Sequence, residues 1–236
     1  MRICLARSGF ALALLVLALG SMPGCLKLSD LSESERLFPD SALSGAVARA
    51  TVRDVVEGKA GKGIEITANA IIPENPRTEQ LKPTSLTILK RLKEKYPDAT
   101  MIAVSIYDDE RAMPLGMTVA KAAYRTGTVT VVGGLPTEAE VAAVNAKRAK
   151  GDRLGPFAQP REEDFNIVQK VFENAGGEPP SGDPASAGRV EGGTDAAAVK
   201  KAAAFFRIPV ERVETARFNL SNWYGMHRDE KLFEKK

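Results

Sequence analysis

The stretch Tyr107-Asp108-Asp109-Glu110-Arg111 holds the side chains best suited to chemistry in this sequence. Asp108 and Asp109 follow an apolar run that predicts a central strand, and functional side chains often gather where strands end. Two carboxylates can bind a divalent cation, and one alone can serve as a general base. Successive strand residues point to opposite faces, however, so both would grip one ion only if the chain bends there. A structural role is therefore favoured, in which Asp109 pairs with Arg111 and Asp108 caps a turn.

The first 24 residues have the layout of a secretory signal peptide. Arg2 and Arg7 make a basic start, ten apolar residues run from Phe10 to Leu19, and small or turn-forming residues follow. A membrane-spanning helix needs roughly 20 apolar residues, so a permanent span is not expected in this segment.

The four residues Met22-Pro23-Gly24-Cys25 resemble a bacterial lipobox, in which an aliphatic residue and two small residues precede a cysteine. Gly24 and Cys25 match that pattern, whereas Pro23 departs from it. The resemblance implies cleavage between Gly24 and Cys25, and acylation of Cys25 on its sulfur and on its new amino group. Leu26 follows in place of aspartate, which by the same resemblance favours the outer membrane. The alternative is an ordinary secretory leader with an incidental cysteine.

Charge and cysteine content limit the classes of function. Removal of residues 1–24 takes away Arg2 and Arg7 and lowers the net charge from +3 to +1, which gives no electrostatic reason to expect nucleic acid or anionic lipid as a partner. Cys4 lies in the leader and Cys25 would carry lipid, so no cysteine remains for a disulfide. The motifs GxSxG, HExxH and CxxC are all missing, and no catalytic residue, cofactor or metal ligand is predicted from them.

Two other features are interpreted as structural. Gly58 to Gly63, GKAGKG, is followed by Ile64 and lies between two predicted strands, so it indicates a hairpin turn rather than a phosphate-binding loop. His227 is the only histidine, and its position in the polar segment MHRDEK predicts an exposed residue without a role in catalysis.

The hydrophobic pattern predicts the elements that position these residues. Alternating residues predict strands over 46–56 and 64–72, and a helix over 84–95 with Thr84 as its N-cap comes next. A nearly continuous apolar strand over 99–107 should be covered on both faces, and strands over 115–124 and 128–132 follow it. This order predicts an α+β fold with a mainly antiparallel sheet and C-terminal helices.

The central part of the chain resembles an uncharacterised bacterial domain family. The resemblance rests on the segments KGIEITANAI, TSLTILKRLKEKYPDATMIAVSIYDDERA and AKAAYRTGTVTV, which span about a third of the chain. It adds to the prediction of the fold and implies no activity.

Composition divides the chain into six parts. They are a signal peptide over 1–24, a lipidated tether over 25–45, an α+β domain over 46–175, a Gly-, Pro- and Ser-rich linker over 176–193, a helical hairpin over 194–225 and a polar tail over 226–236. Within the domain, Thr137 and Glu140 form a capping box, and an amphipathic helix is predicted over 162–174. The buried side of the hairpin is predicted to hold Phe205, Phe206, Ile208, Phe218 and Trp223.

These features favour a non-enzymatic envelope lipoprotein that faces the periplasm. It would bind a small ligand, or another envelope protein through its C-terminal helices. A cation-dependent hydrolase using Asp108 and Asp109 is one alternative. A helix-turn-helix DNA-binding protein is another, since 202–220 has that rhythm and carries Arg212 and Arg217. The export signal and the acidic residues on the same helix argue against DNA binding.

Overall fold

The computed structural model describes residues 33–60, 63–72, 75–148, 152–176 and 196–236. These residues form seven α-helices, one 3₁₀ turn and one six-stranded sheet, which confirms the predicted α+β class. The predicted lipidation and cleavage site at Gly24 and Cys25 lies outside the described residues, as does the predicted linker apart from Gly176. Within the described ranges, no helix is both long enough and apolar enough to cross a bilayer.

The strands lie side by side in the order in which they occur along the chain. Every neighbouring pair is antiparallel except β2 and β3, which are parallel. Parallel neighbours need a crossover connection, and helix α3 (Thr78–Lys95) supplies it. The strands are β1 (Thr51–Ala60), β2 (Gly63–Ile71), β3 (Ala99–Tyr107), β4 (Ala120–Arg125), β5 (Thr128–Gly133) and β6 (Lys231–Lys235).

Two of the helices agree closely with the sequence pattern. The fourth begins with the predicted capping box, in which the Thr137 N–H donates to Glu140 Oε2 at 2.8 Å and Thr137 Oγ1 accepts from the Glu140 N–H at 3.3 Å. The fifth spans the predicted residues 162–174. The helices are α1 (Glu33–Leu37), α2 (Asp40–Leu43), α3 (Thr78–Lys95), α4 (Glu138–Lys147), α5 (Glu162–Asn174), α6 (Ala196–Phe206) and α7 (Val210–Gly225), and the 3₁₀ turn is Glu110–Ala112.

Helix α3 begins six residues earlier than predicted. Thr84 is buried inside it and is not the N-cap; its Oγ1 accepts a hydrogen bond from the Ala48 N–H at 2.9 Å. The helix starts at Thr78, where the Arg77 N–H donates to Gln80 Oε1 at 2.9 Å. Pro83 lies inside this helix. Proline lacks the N–H that would donate to the helical hydrogen-bond ladder, but the helix continues past it.

Strand β1 differs from the half-buried strand predicted over 46–56. It runs from Thr51 to Ala60, and its residues from Thr51 to Lys59 are exposed on both sides. Among the described elements β1 packs chiefly against β2, so neither of its faces is covered and its alternation does not correspond to a buried face. The two strands also extend into the predicted GKAGKG turn, since Ala60 pairs with Gly63.

The predicted tether over 25–45 is part of the folded domain from Leu37 onward. Leu37 and Phe38 are fully buried, Ala42 is nearly so, and α2 packs against α3. Burying the large apolar side chains of Leu37 and Phe38 in the core is favourable. The residues around them are mostly polar, so the composition of the segment does not indicate that these two are buried.

The predicted polar tail over 226–236 contains strand β6, which pairs with β5 at the sheet edge. Only Leu232 and Phe233 are apolar in this strand, and lysine and glutamate are common on edges, so its sequence resembles a solvated segment. His227 is not fully exposed: its side chain is 17% exposed, with Nδ1 2.6 Å from Glu230 and Nε2 3.2 Å from Glu140.

The core lies around β3 and continues into the C-terminal helices. Both faces of β3 are buried from Val104 to Tyr107, as predicted for a central strand. Phe157 packs at 6.0 Å from Phe218 and 6.2 Å from Trp223, measured between ring centroids, which attaches α7 to the loop before α5. Phe205 was predicted to be buried, but it is 63% exposed and points away from this core.

Candidate functional site

Asp108 and Asp109 lie where β3 ends and the 3₁₀ turn begins. Tyr224, on the last turn of α7, donates its hydroxyl to Asp108 Oδ1 at 2.8 Å. The two aspartates line an open depression of about 280 Å³ at the sheet end, together with Thr51, Arg53, Ile71 and Glu110. The end of β3 is therefore covered by α7 on one side and open to solvent on the other.

Asp109 is fully engaged by Arg111. Arg111 Nε donates to Asp109 Oδ1 at 2.9 Å, and its Nη2 donates to Oδ2 at 2.7 Å, which makes a bidentate pair. The Arg111 N–H also donates to Oδ1 at 2.8 Å, so Asp109, and not Asp108 as predicted, caps the turn. The hydrogen bond from the Arg111 side chain is the main cause that lowers the pKa of Asp109.

Asp108 has the opposite electrostatic character. Burial raises its pKa from 3.8 to about 6, and the hydrogen bond from Tyr224 only partly offsets that effect. Burial and the nearby Asp108 charge likewise raise the pKa of Tyr224, so its hydroxyl remains a donor at neutral pH. Asp108 is therefore a carboxyl group that exchanges its proton in the mildly acidic range.

Arg111 also connects this site to helix α5. Its Nη1 lies 2.8 Å from Glu162 Oε2, and its guanidinium lies 5.6 Å from the Phe165 ring centroid. Phe165 in turn packs against Tyr224 with 6.2 Å between ring centroids. The first turn of α5 thus joins the end of β3 to the end of α7.

A second arginine holds α5 from the other direction. Arg212 Nη1, on α7, lies 2.6 Å from Oδ1 of Asp164, whose side chain is 4% exposed, and Arg212 Nη2 lies 3.6 Å from Glu163. Acidic side chains in the first turn of a helix are stabilised by the partial positive charge there. Arg212 is therefore committed to α5, which argues against its use as a DNA-phosphate ligand in a helix-turn-helix.

The geometry argues against a shared cation site at the two aspartates. Both oxygens of Asp109 already accept hydrogen bonds from Arg111, and a positive guanidinium beside them would repel a divalent cation. Among the residues that the structure describes, no group of three or more His, Cys, Asp or Glu side chains is placed to hold a metal ion.

Asp108, Asp109 and Arg111 directly follow β3, as the sequence pattern predicted, but the pattern did not indicate their partners on α5 and α7. Tyr224 is 116 positions from Asp108, and Glu162 belongs to a helix recognised only by its amphipathic pattern. The sequence does contain one signal, the three consecutive acidic residues 162–164 at the start of α5. Acidic side chains that become buried need basic partners, and Arg111 and Arg212 are the partners here. In comparisons with protein-family models, with curated proteins and with solved structures, no match to this chain was found.

Proposed function

We propose that this protein is a lipid-anchored envelope protein that faces the periplasm and binds other molecules without catalysing a reaction. The observation that carries the proposal is the cysteine at the end of the leader, because Cys25 stands where the lipobox pattern requires it. Several acyl chains on one residue hold a protein far more firmly than one chain, since each buried methylene contributes about 0.8 kcal/mol. Leu26 makes the outer membrane the expected destination.

The early start of the folded domain supports a position close to the bilayer. Seven residues separate Cys25 from Glu33, where α1 begins, so eight residue-to-residue steps join them. A fully extended chain spans at most about 3.6 Å per residue, so those residues reach about 29 Å. An anchored Cys25 would therefore keep the domain next to the membrane surface rather than on a long stalk.

The chemistry at the end of β3 supports binding over hydrolysis. A hydrolase of the kind considered above needs a carboxylate that is free to hold a cation or accept a proton from water. Asp109 is occupied by Arg111, and Asp108 is half-buried and accepts a hydrogen bond from Tyr224, so the two carboxylates are not free to hold a cation together. The site thus retains one carboxyl, and it also joins the sheet to α7.

The turn between α6 and α7 is the proposed contact for a protein partner. Phe205, at the end of α6, is 63% exposed. Its ring lies edge-on to that of Phe206, with 4.9 Å between the ring centroids. Lys170 Nζ lies 4.6 Å from the centroid of the Phe205 ring. Aromatic residues are enriched at protein interfaces, where a few residues contribute most of the binding free energy. The proposed partner would therefore lie against the helical part of the domain.

Lipid anchoring is tested by replacing Cys25 with serine. We expect Cys25→Ser to leave the leader uncleaved at this position and the chain unacylated, so the intact mass of the membrane-extracted protein should lose the acyl increment. The matched control is Cys4→Ser, which removes the other cysteine and should leave both the acyl increment and the fractionation unchanged. The proposal fails if the leader of Cys25→Ser is cleaved and the variant stays in the membrane fraction as the natural chain does.

The partner surface is tested by cross-linking in intact envelopes. Phe205→Asp should reduce a discrete cross-linked adduct about tenfold or more, as expected for loss of an aromatic anchor. Val47→Asp is the matched control because Val47 is also exposed, at 48%, but lies just before β1 and not on the C-terminal helices. Equal adducts in all three proteins, or none in the natural chain, would contradict the proposed contact.

A further inference from the structure

Strand β1 leaves one edge of its backbone open. Among the described elements it pairs with β2 alone, so its other edge presents N–H and C=O groups that no described strand engages. At ten residues, β1 is also the longest of the described strands. Proteins commonly keep exposed edge strands short, because a long one is a template for pairing with a strand of another chain.

A β-bulge divides β1 into two parts. Its pairing with β2 shifts between Arg53 and Val56, and Asp54 has a left-handed backbone conformation there, with a φ of 49°. After the bulge, residues 56–60 pair one for one with residues 67–63 of β2. The part of β1 that can accept another strand in a regular ladder is therefore residues 56–60.

Two opposite charges lie in that part of β1 without a partner. Glu57 and Lys59 are both exposed, and neither forms an ion pair with a residue that the structure describes. They are two positions apart, so they lie on the same face of the strand. At the opposite edge of the sheet, by contrast, Lys231 of β6 pairs with Glu234 of its own strand at 2.8 Å.

The charge pattern of residues 56–60 is complementary to itself. When two copies run antiparallel about a two-fold axis at Gly58, Glu57 of each copy lies opposite Lys59 of the other, and the two ion pairs are equivalent. The next registers that keep the hydrogen-bond pattern are two residues away. They place Glu57 opposite Glu57 or Lys59 opposite Lys59, and like charges directly opposite each other are destabilising. The charges therefore favour one register over its neighbours.

We propose that residues 56–60 of β1 pair antiparallel with the same residues of a second copy, which joins two sheets edge to edge in a homodimer. Backbone hydrogen bonds hold the two strands together, and the two Glu57–Lys59 pairs fix the register. Five residues from each chain bury less than a standard interface, so the dimer should be weak, with a Kd of about 1–100 µM. The proposal depends neither on the lipid anchor nor on the partner contact at Phe205.

Disulfide cross-linking tests the register. In the full-length chain with Cys4 and Cys25 both replaced by serine, Gly58→Cys places the only thiol at the two-fold axis, opposite its own copy. A side chain fits there, because a Cβ at Gly58 would meet only the Glu65 carbonyl oxygen, at 3.9 Å. Opposed Cα atoms in an antiparallel pair are about 4.5–5.5 Å apart, which is within the range for a disulfide. We expect mild oxidation of the detergent-solubilised protein to convert most of it to a covalent dimer.

Val56→Cys in the same background is the matched control. Position 56 would lie opposite position 60 of the second copy, so the two thiols would be four residues apart, about 14 Å along the strand, and could not form a disulfide. Equal cross-linking of the two variants would show non-specific contact and would overturn the register. Absence of a covalent dimer from Gly58→Cys would overturn the pairing itself.

Charge reversal tests the two ion pairs in a chain that keeps Gly58. Sedimentation equilibrium of the full-length chain in density-matched detergent measures the Kd of the dimer. Glu57→Lys and Lys59→Glu should each raise that Kd about tenfold or more, because each places like charges opposite each other at two positions. The double variant exchanges the partners and restores both pairs, so its Kd should return to within about twofold of the natural value.

Glu94→Lys is the control for overall charge. Glu94 is exposed on α3, and its reversal makes the same change in net charge as Glu57→Lys, so the Kd should be unchanged. An equal effect of Glu94→Lys, or a double variant that dimerises no better than the single variants, would overturn the proposed ion pairs. A natural chain that remains monomeric at about 0.5 mM would overturn the dimer.

Discussion

Replacing Phe38 with alanine should lower the free energy of unfolding by about 3–5 kcal/mol, as expected for deletion of a fully buried aromatic ring. Phe38 is 1% exposed and lies in the segment whose composition predicts a tether. The loss combines the transfer of the ring out of the core with the cavity left in the core. Chemical denaturation of the full-length chain at pH 7 measures it.

Phe205→Ala is the matched control for this prediction. It deletes the same ring from a site that is 63% exposed, so the loss should be at most about 1 kcal/mol, mostly from contacts with Phe206 and Lys170. If the two variants differ by less than about 1 kcal/mol, the segment around Phe38 is a tether after all and not part of the core.

The elements that were predictable depend on local pattern. Strand β2 was recognised because Ile66, Ala68 and Ala70 alternate with polar residues, and each of the three is buried. The capping box at Thr137 was recognised because both of its partners lie within four positions. In each case the residues that decide the structure are neighbours in the sequence, so hydrophobic period and hydrogen-bonding side chains are sufficient.

The elements that were missed depend on partners far along the chain. Strand β6 has only two apolar residues, and it forms because its backbone hydrogen-bonds to that of β5. Thr84 resembles an N-cap, but its Oγ1 accepts a hydrogen bond from the Ala48 N–H instead of from its own helix. Neither outcome can be read from a window of a dozen residues, because tertiary contacts override local preference at both places.

The candidate site shows the same division. Asp108 and Asp109 were recognised from their position after β3, and the bidentate pair of Asp109 with Arg111 is local enough to anticipate. What separates the two carboxyls chemically is the greater burial of Asp108 and its hydrogen bond from Tyr224, which lies 116 positions further along the chain. The raised pKa of one aspartate and the lowered pKa of its neighbour are therefore a tertiary property, and sequence alone makes the two look equivalent.

Asp108→Asn should stabilise the protein at pH 7 by up to about 3 kcal/mol. Burial raises the pKa of Asp108 from 3.8 to about 6, and a tenfold change in a proton-binding constant corresponds to about 1.4 kcal/mol. Between these two pH values the folded state holds the Asp108 proton while the unfolded state releases it. Unfolding is therefore favoured as the pH rises through this window, and an amide, which cannot ionise, escapes that cost.

The measurement is the unfolding free energy of the natural chain and of Asp108→Asn between pH 4 and pH 7.5. The advantage of the amide should be small at pH 4, grow as the pH rises to about 6, and stay constant above that. An amide oxygen still accepts from Tyr224, so the hydrogen bond at 2.8 Å need not be lost.

Asp109→Asn is the matched control because it makes the same change one residue away, where Arg111 lowers the pKa. The ionised Asp109 contributes stability that is present above its unfolded pKa and is lost as the pH falls through the folded one. This variant should therefore be less stable than the natural chain at pH 7, by roughly 1 kcal/mol for a partly exposed pair, and the difference should shrink in acid. If both variants change stability in the same direction at pH 7, the opposite electrostatic characters assigned to the two aspartates are wrong.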